Sequence, residues 1–416
     1  MRWRGLRAAG NCLSIAPSAP LVMAFRVARR WVLPTACIVL LTGSVRGQIR
    51  PDPSSLASAP AELRDQLRAD PFTYFRFINR AWVARVCADM TDVRQMPIVR
   101  LHGDAHVEQF AVTRDAWGLD DFDDSARGPQ FVDILRFLGS IDLITRQRGW
   151  TRDRNKLWDR FFSGYRRALS DPAYRSPEPG IVRWLRAQSS DTGADFLAWG
   201  ESQMQPMDDA ASKSVVAAME SFERFMRLER PDLASGYFAV TRFGWLRLGV
   251  GSAVIRKALI RVQGPTTAAE DDVLVEAKEA VNLDGVGCVE GHTTPRAVRI
   301  IDGTRQLGRL KHEILAVAPP LLIPAAADRR QYWLEWWVSS WEPSYRELRI
   351  TDLRSVEDLA DIAFDAGVQL GAGELQDSAA RKAALSSLAQ LEGRLRKETS
   401  RLVEELLAGW RELRKQ

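Results

Sequence analysis

Apolar positions along this chain recur in two periods that occupy separate blocks. Helical spacing links Leu157, Phe161, Phe162, Tyr165 and Leu169, and again Leu359, Ile362, Ala363, Ala366 and Leu370. It runs longest through Leu388, Leu391, Leu395, Leu402, Leu406 and Trp410, at steps of three, four and seven, which predicts one long amphipathic helix over 379–413. That helix is expected to pack within the chain. A further helical stretch spans 296–310, and 150–240 reads as helices interrupted by a Pro-rich break at 172–179 and by a polar stretch at 208–214, a lid or a surface loop. Alternation of period two marks strands at 258–262, 273–280 and 332–338. Two shorter apolar runs, Ile98 to Leu101 and Trp117 to Leu119, each stop at an acidic turn and are expected to pair as a hairpin. No internal repeat is evident.

Composition narrows the class. With 416 residues, 46% hydrophobic and 27% charged, the chain exceeds one ordinary domain and has ample material for a core. The net charge of +5 is mildly basic, but no basic tract alternates with aromatics, which argues against a nucleic-acid groove. Residues 1–47 differ from the rest. Arg26, Arg29 and Arg30 precede an apolar run from Trp31 to Leu41, and small residues lead to Val45 and Gly47 before Gln48. This is the layout of a signal peptide, too short for a comfortable membrane span, with Met23 as the expected true start. The body is then exported or periplasmic if the leader is cleaved, and membrane-anchored or cytoplasmic if it is retained. Cys12 and Cys37 belong to the leader, leaving Cys87 and Cys288 for one disulfide or none.

The chemistry concentrates between Leu101 and Arg136, where His102, Asp104 and His106 precede Asp120, Asp121, Asp123 and Asp124. Oxygen ligands at the ends of two strands suit a hard cation such as Mg²⁺; the plainer reading is an acidic loop of solvated carboxylates. The order of residues resembles the catalytic and metal loops of protein-kinase-like phosphotransferases such as aminoglycoside and choline kinases. It is closer still to a family of uncharacterised bacterial proteins, domain of unknown function 2252. The matching blocks are Gly103-Asp104-Ala105-His106 with Gln109-Phe110, then Asp120 to Asp124, then Gly128-Pro129 with Asp133 and Arg136.

That resemblance implies an α+β, two-lobed kinase-like fold with ATP and Mg²⁺ as cofactors. It also asks for a glycine-rich turn and a lysine over the phosphates. Both stand downstream, as Gly249, Gly251 and Ser252 and as Lys278 in Val273 to Ala280, so the order is read as circularly permuted. The expected parts are a helical lobe with catalytic and metal loops over 48–240, a β-rich nucleotide-binding lobe over 241–345, and helices over 346–416 that rejoin the first. Asp302 takes the place of an acidic partner for Lys278. Trp336, Trp337 and Trp341 stand near the hinge, to stack on a ring or simply to fill the core.

The resemblance implies roles residue by residue. Asp104 is the catalytic carboxylate, with His102 and His106 as loop braces and His106 near substrate. Asp121 and Asp123 hold the metal, with Gln109 in the position where the family has Asn. Asp133 and Arg136 brace the loop. Gln109 is longer than Asn by a methylene, which keeps a ligand-binding but catalytically degenerate version open. Gly103-Asp104-Ala105-His106 is similar also to a metallophosphatase block, although the chain has only 4 His. The acceptor is expected to be a small hydroxyl- or amine-bearing molecule.

Overall fold

Four short helices open the described chain: α1 (Pro53–Ser58), α2 (Ala61–Ala69), α3 (Pro71–Phe77) and α4 (Asn79–Asp89). Local chemistry starts two of them. The Asp52 carboxylate accepts from Ser55 N, and that of Asp70 from Phe72 N and Thr73 N, with Pro53 and Pro71 in the first turn where no N–H is needed. In this computed structural model, residues 47–91, 96–188, 193–234, 236–246, 255–318, 321–324, 331–373 and 377–416 are described. Of the leader, residues 1–46 lie outside them. No described helix is long and apolar enough to cross a membrane.

Short strands and helices follow: β1 (Ile98–Leu101), β2 (Phe110–Val112), β3 (Trp117–Leu119), β4 (Ala126–Pro129), α5 (Phe131–Gln147), α6 (Arg154–Ser170) and α7 (Gly180–Ala187). The expected hairpin of 98–101 with 117–119 does not form. Instead β1 pairs with β4, Leu101 opposite Ala126, and β3 pairs with β2, Leu119 opposite Phe110. Strands of three or four residues are too short for a period from which to read their partners.

The mixed α+β chain then builds its sheet from α8 (Gly193–Ser202), β5 (Met204–Gln205), α9 (Asp209–Glu229), β6 (Val240–Leu246), β7 (Lys257–Val262), β8 (Val273–Glu279), α10 (Ala297–Leu307), β9 (Leu315–Val317), β10 (Leu321–Pro324), β11 (Gln331–Leu334) and β12 (Trp336–Ser340). The strand order is β5-β6-β7-β8-β12-β9, antiparallel throughout. The alternating run at 332–338 is therefore two strands: β11 pairs with β10, and β12 joins the main sheet beyond Glu335. The polar stretch at 208–214 is neither lid nor loop, because the Asp208 carboxylate accepts from Ala211 N and starts α9.

Period two gives the sheet two unlike faces. Ile260, Val262, Val275 and Val338 pack with Val215, Met219, Phe222 and Met226 of α9. On the other face Leu246, Leu259 and Leu274 pack with Leu197 of α8. By core membership α8 and α9 thus go with the sheet, although 48–240 was expected to be helical lobe. The chain ends with β13 (Arg346–Glu347), α11 (Val356–Gly373) and α12 (Ser378–Leu413). The main core draws on Ile49 to Leu185 and Leu348 to Leu413, so segments on both sides of the sheet in sequence build one helical body. There α6 and α11 cross backbone to backbone. A Cβ on Gly164 would sit 2.0 Å from Phe364 O, and one on Gly367 2.2 Å from Phe161 O. Cys87 and Cys288 form a disulfide that ties α4 to the segment between β8 and α10.

Candidate functional site

The Asp104 loop is held from below by α5. In its first turn, Asp133, fully buried, accepts from His102 N at 2.7 Å and Gly103 N at 2.9 Å. Gly103 has φ 87°, and a Cβ there would sit 1.9 Å from Asp124 O, so the two acidic loops meet through this glycine. His102 spans them as well. Its Nδ1 accepts from Asp104 N at 3.3 Å, which leaves Nε2–H to donate to Asp120 O at 2.9 Å.

Arg136, one turn beyond Asp133 and fully buried, donates Nε–H to Asp104 Oδ1 at 2.8 Å, with Nη2 at 2.7 Å from the same oxygen. Its guanidinium lies 3.6 Å over the Phe75 ring, and Nη2 also donates to Phe75 O. Burial alone would raise the Asp104 pKa, but Arg136 and then His106 hold it down at about 2. His106 Nε2 is 3.6 Å from Asp104 Oδ2, and its ring packs edge-on against Phe72 and Phe75. Burial pulls His106 below the usual histidine range despite Asp104, so it is neutral at neutral pH.

The second loop faces the sheet. Asp121 sits in the left-handed region at φ 60°, a conformation that Asp tolerates at some cost. Lys278 Nζ reaches Asp121 Oδ1 at 3.3 Å, Asp123 Oδ2 at 3.4 Å and Glu276 Oε1 at 3.9 Å, and lies 5.3 Å from the Trp337 ring centroid. Glu276 and Lys278 share a strand face, and Lys257 stands directly across from Lys278 on β7. Burial would lower the Lys278 pKa, but Asp121, Asp123 and Glu276 raise it well above normal. Burial and the Asp121 charge push Asp123 up to about 8, while Lys278 and Lys257 outweigh burial and hold Asp121 low. Asp123 Oδ1 is buried without a hydrogen-bond partner among the described residues.

A cleft of about 1550 Å³ opens over both loops. Its lining includes Asp104, His106, Gln109, Asp121, Asp123 and Tyr345. Lys278, 12% exposed, is not on the wall and sits behind the Asp121 and Asp123 carboxylates. The structure thus gathers Asp104, His102, His106, Asp121, Asp123, Gln109 and Lys278 in one place. Gln109 Nε2 donates to Asp104 Oδ2 at 3.5 Å, and its backbone oxygen accepts from Asp120 N at 2.8 Å. Asp302 is elsewhere: it pairs at 3.5 Å with Arg100 and is half exposed, because Lys278 takes its partners from the loop and from its own strand. Gly249, Gly251 and Ser252 lie outside the described residues. Among those described, no group of three or more acidic, His or Cys side chains forms a ready-made metal cage.

Trp336 and Trp337 are core, at 4% and 5% exposure, while Trp341 pairs with Trp199 of α8 and donates Nε1–H to Glu276. The sequence reading missed Glu276, Lys257 and Arg299. Arg299, 1% exposed, donates to the backbone oxygens of Asp123, Ser125 and Val281. A sequence signal existed: Arg299 falls on the apolar side of α10, beside Ala297, Ile300 and Ile301.

A family model described as an uncharacterized protein conserved in bacteria (DUF2252) matches residues 60–195. The match takes in both acidic loops, Asp133 and Arg136; Lys278 and Arg299 fall beyond it. No curated protein and no solved structure matches the chain.

Proposed function

We propose that the cleft binds a phosphate-bearing donor, ATP in the first instance, with Mg²⁺, and that it transfers phosphoryl to a small hydroxyl- or amine-bearing acceptor. One observation carries this reading. The Lys278 ammonium reaches from the sheet to two carboxylates that precede it by 157 and 155 positions, beside the cleft that holds Asp104. The kinase-like, permuted arrangement belongs to the same proposal; it is supported by the helical body being built from segments that flank the sheet in sequence.

The residues present fit a hard cation. Asp123 offers a buried, unpartnered oxygen, and the left-handed turn at Asp121 sets a second carboxylate beside it. Asp121 and Asp123 would hold Mg²⁺, which when bound neutralises charge on the donor phosphates. Lys278, behind those carboxylates, would add positive charge next to the same phosphates. Asp104, with its pKa at about 2, is too weak a base to take a hydroxyl proton early. Its work is to orient the acceptor oxygen, which suffices for a reaction that relies on positioning and charge stabilisation. Gln109, whose Nε2 donates to Asp104, supports that carboxylate.

Export belongs to the proposal too, since the Cys87–Cys288 disulfide suits an oxidising compartment, as does a cleaved leader. The test is ADP formation from ATP and Mg²⁺ with pools of sugars and amino alcohols. Asp104→Asn should lower the rate by about 10²-fold with unchanged affinity for Mg-ATP. Tight Mg-ATP binding with no ADP formed in any pool would favour the catalytically degenerate binder.

A further inference from the structure

Arg299 is a buried cation whose hydrogen bonds among the described residues all go to backbone oxygens, a costly arrangement that calls for a reason. Its Nη1 donates to Asp123 O at 2.6 Å and to Ser125 O at 2.7 Å, and its Nη2 to Val281 O at 2.6 Å. The first two oxygens belong to the acidic loop. The third lies three residues after Lys278, where the chain leaves β8. One guanidinium therefore spans the two pieces of backbone that present Asp123 and Lys278 to each other. The neighbourhood is closed around it. One turn along α10, a Cβ on Gly303 would sit 2.1 Å from Ser125 Oγ, and that hydroxyl donates to Leu101 O at 2.7 Å, at the end of the strand leading to Asp104.

We infer that Arg299 is a positioning residue of the cleft, fixing the metal-loop carboxylates against Lys278; this rests on the cation-and-phosphate reading above. The planar fork of Arg reaches three converging carbonyls at once, which the ammonium of Lys cannot do from one point. A hard cation tolerates little error in carboxylate placement, so slack between the two segments falls first on metal affinity. In this chain α10 serves the site through that arginine, while Asp302 on the same helix faces Arg100.

The test uses the full chain with Arg299→Lys, Arg299→Gln and, as a control on the exposed side of the same helix, Arg305→Gln. Hydrogen exchange reads the clamp without any ligand. Arg299→Lys should speed exchange about tenfold or more in 122–126 and 280–283 together, with α7 and the control unchanged. Mn²⁺ binding in the presence of ATP, followed by the electron-spin resonance of free Mn²⁺, reads the consequence. Half-saturation by Mn²⁺ should weaken about 10–100-fold, while affinity for metal-free ATP changes far less. Unchanged exchange in either segment, or unchanged Mn²⁺ half-saturation in a wild-type-competent background, would overturn the inference. If wild-type protein binds no Mn²⁺ with ATP, the donor reading fails, and the exchange result still decides whether the clamp exists. Failure of Arg299→Lys to fold would overturn positioning in favour of a purely structural role.

Discussion

Replacing Asp104 by Asn removes the charge that Arg136 faces, and the structure sets the size of the loss. The carboxyl titrates at about 2 in place of 3.8. That difference is worth roughly 2 kcal/mol of stability at neutral pH. Because the folded pKa is depressed, the contribution is complete above about pH 5 and is lost as pH falls toward 2. The variant also strands Arg136, which is fully buried and is left with the backbone oxygens of Phe75 and Arg76 and the Phe75 ring, none of them charged. Breaking a buried pair from one side costs about 3–5 kcal/mol, so Asp104→Asn should lose about 3 kcal/mol at pH 7. Urea unfolding between pH 7 and pH 3 measures it, with the slope on denaturant unchanged. By pH 3 the wild type has given up about 1 kcal/mol of this term, so the gap to the variant should narrow by about that amount. A gap below about 0.5 kcal/mol, or one that does not move with pH, would refute the claim that Arg136 holds Asp104 ionised.

Three further outcomes follow from geometry. Asp133→Ala leaves two buried N–H groups without their acceptor and should cost about 3–5 kcal/mol in urea unfolding; a loss under about 1 kcal/mol would show that the loop stands without it. Gly367→Ala puts a methyl 2.2 Å from Phe161 O at the α6–α11 crossing, and should lower the melting temperature sharply even though Ala favours helices. Reducing the Cys87–Cys288 bridge, which spans 201 positions, should cost up to about 5 kcal/mol, read as a drop in the urea midpoint with a thiol-free reductant.

Long elements were legible because their pattern repeats. The run ending in Trp410 predicted a helix over 379–413 and α12 spans Ser378–Leu413; the helix expected through Leu359 to Leu370 is α11. Lys278 was expected on a strand and lies on β8, where alternation puts Leu274, Glu276 and Lys278 on one face. The pairing of β1 to β4 was not legible, since a run of three or four residues is too short to show which partner it takes. The partners of Lys278 were not legible either. They depend on which carboxylates the fold brings within 4 Å, and Asp302 lost to Glu276 because an in-strand neighbour two residues away needs no tertiary arrangement to be close. Arg299 was hidden among many arginines of surface type; only its place among Ala297, Ile300 and Ile301 set it apart.

The most direct test of the joined site is calorimetric binding of ATP, with and without Mg²⁺, to wild-type protein, Lys278→Ala and Asp121→Ala. The account predicts Mg-dependent binding by wild type, with a matching rise in stability of about 2.7 kcal/mol at a hundredfold excess over Kd, and loss of both in each variant. Wild-type protein that binds no ATP at millimolar concentration, or a Lys278→Ala variant that binds as well as wild type, would contradict it.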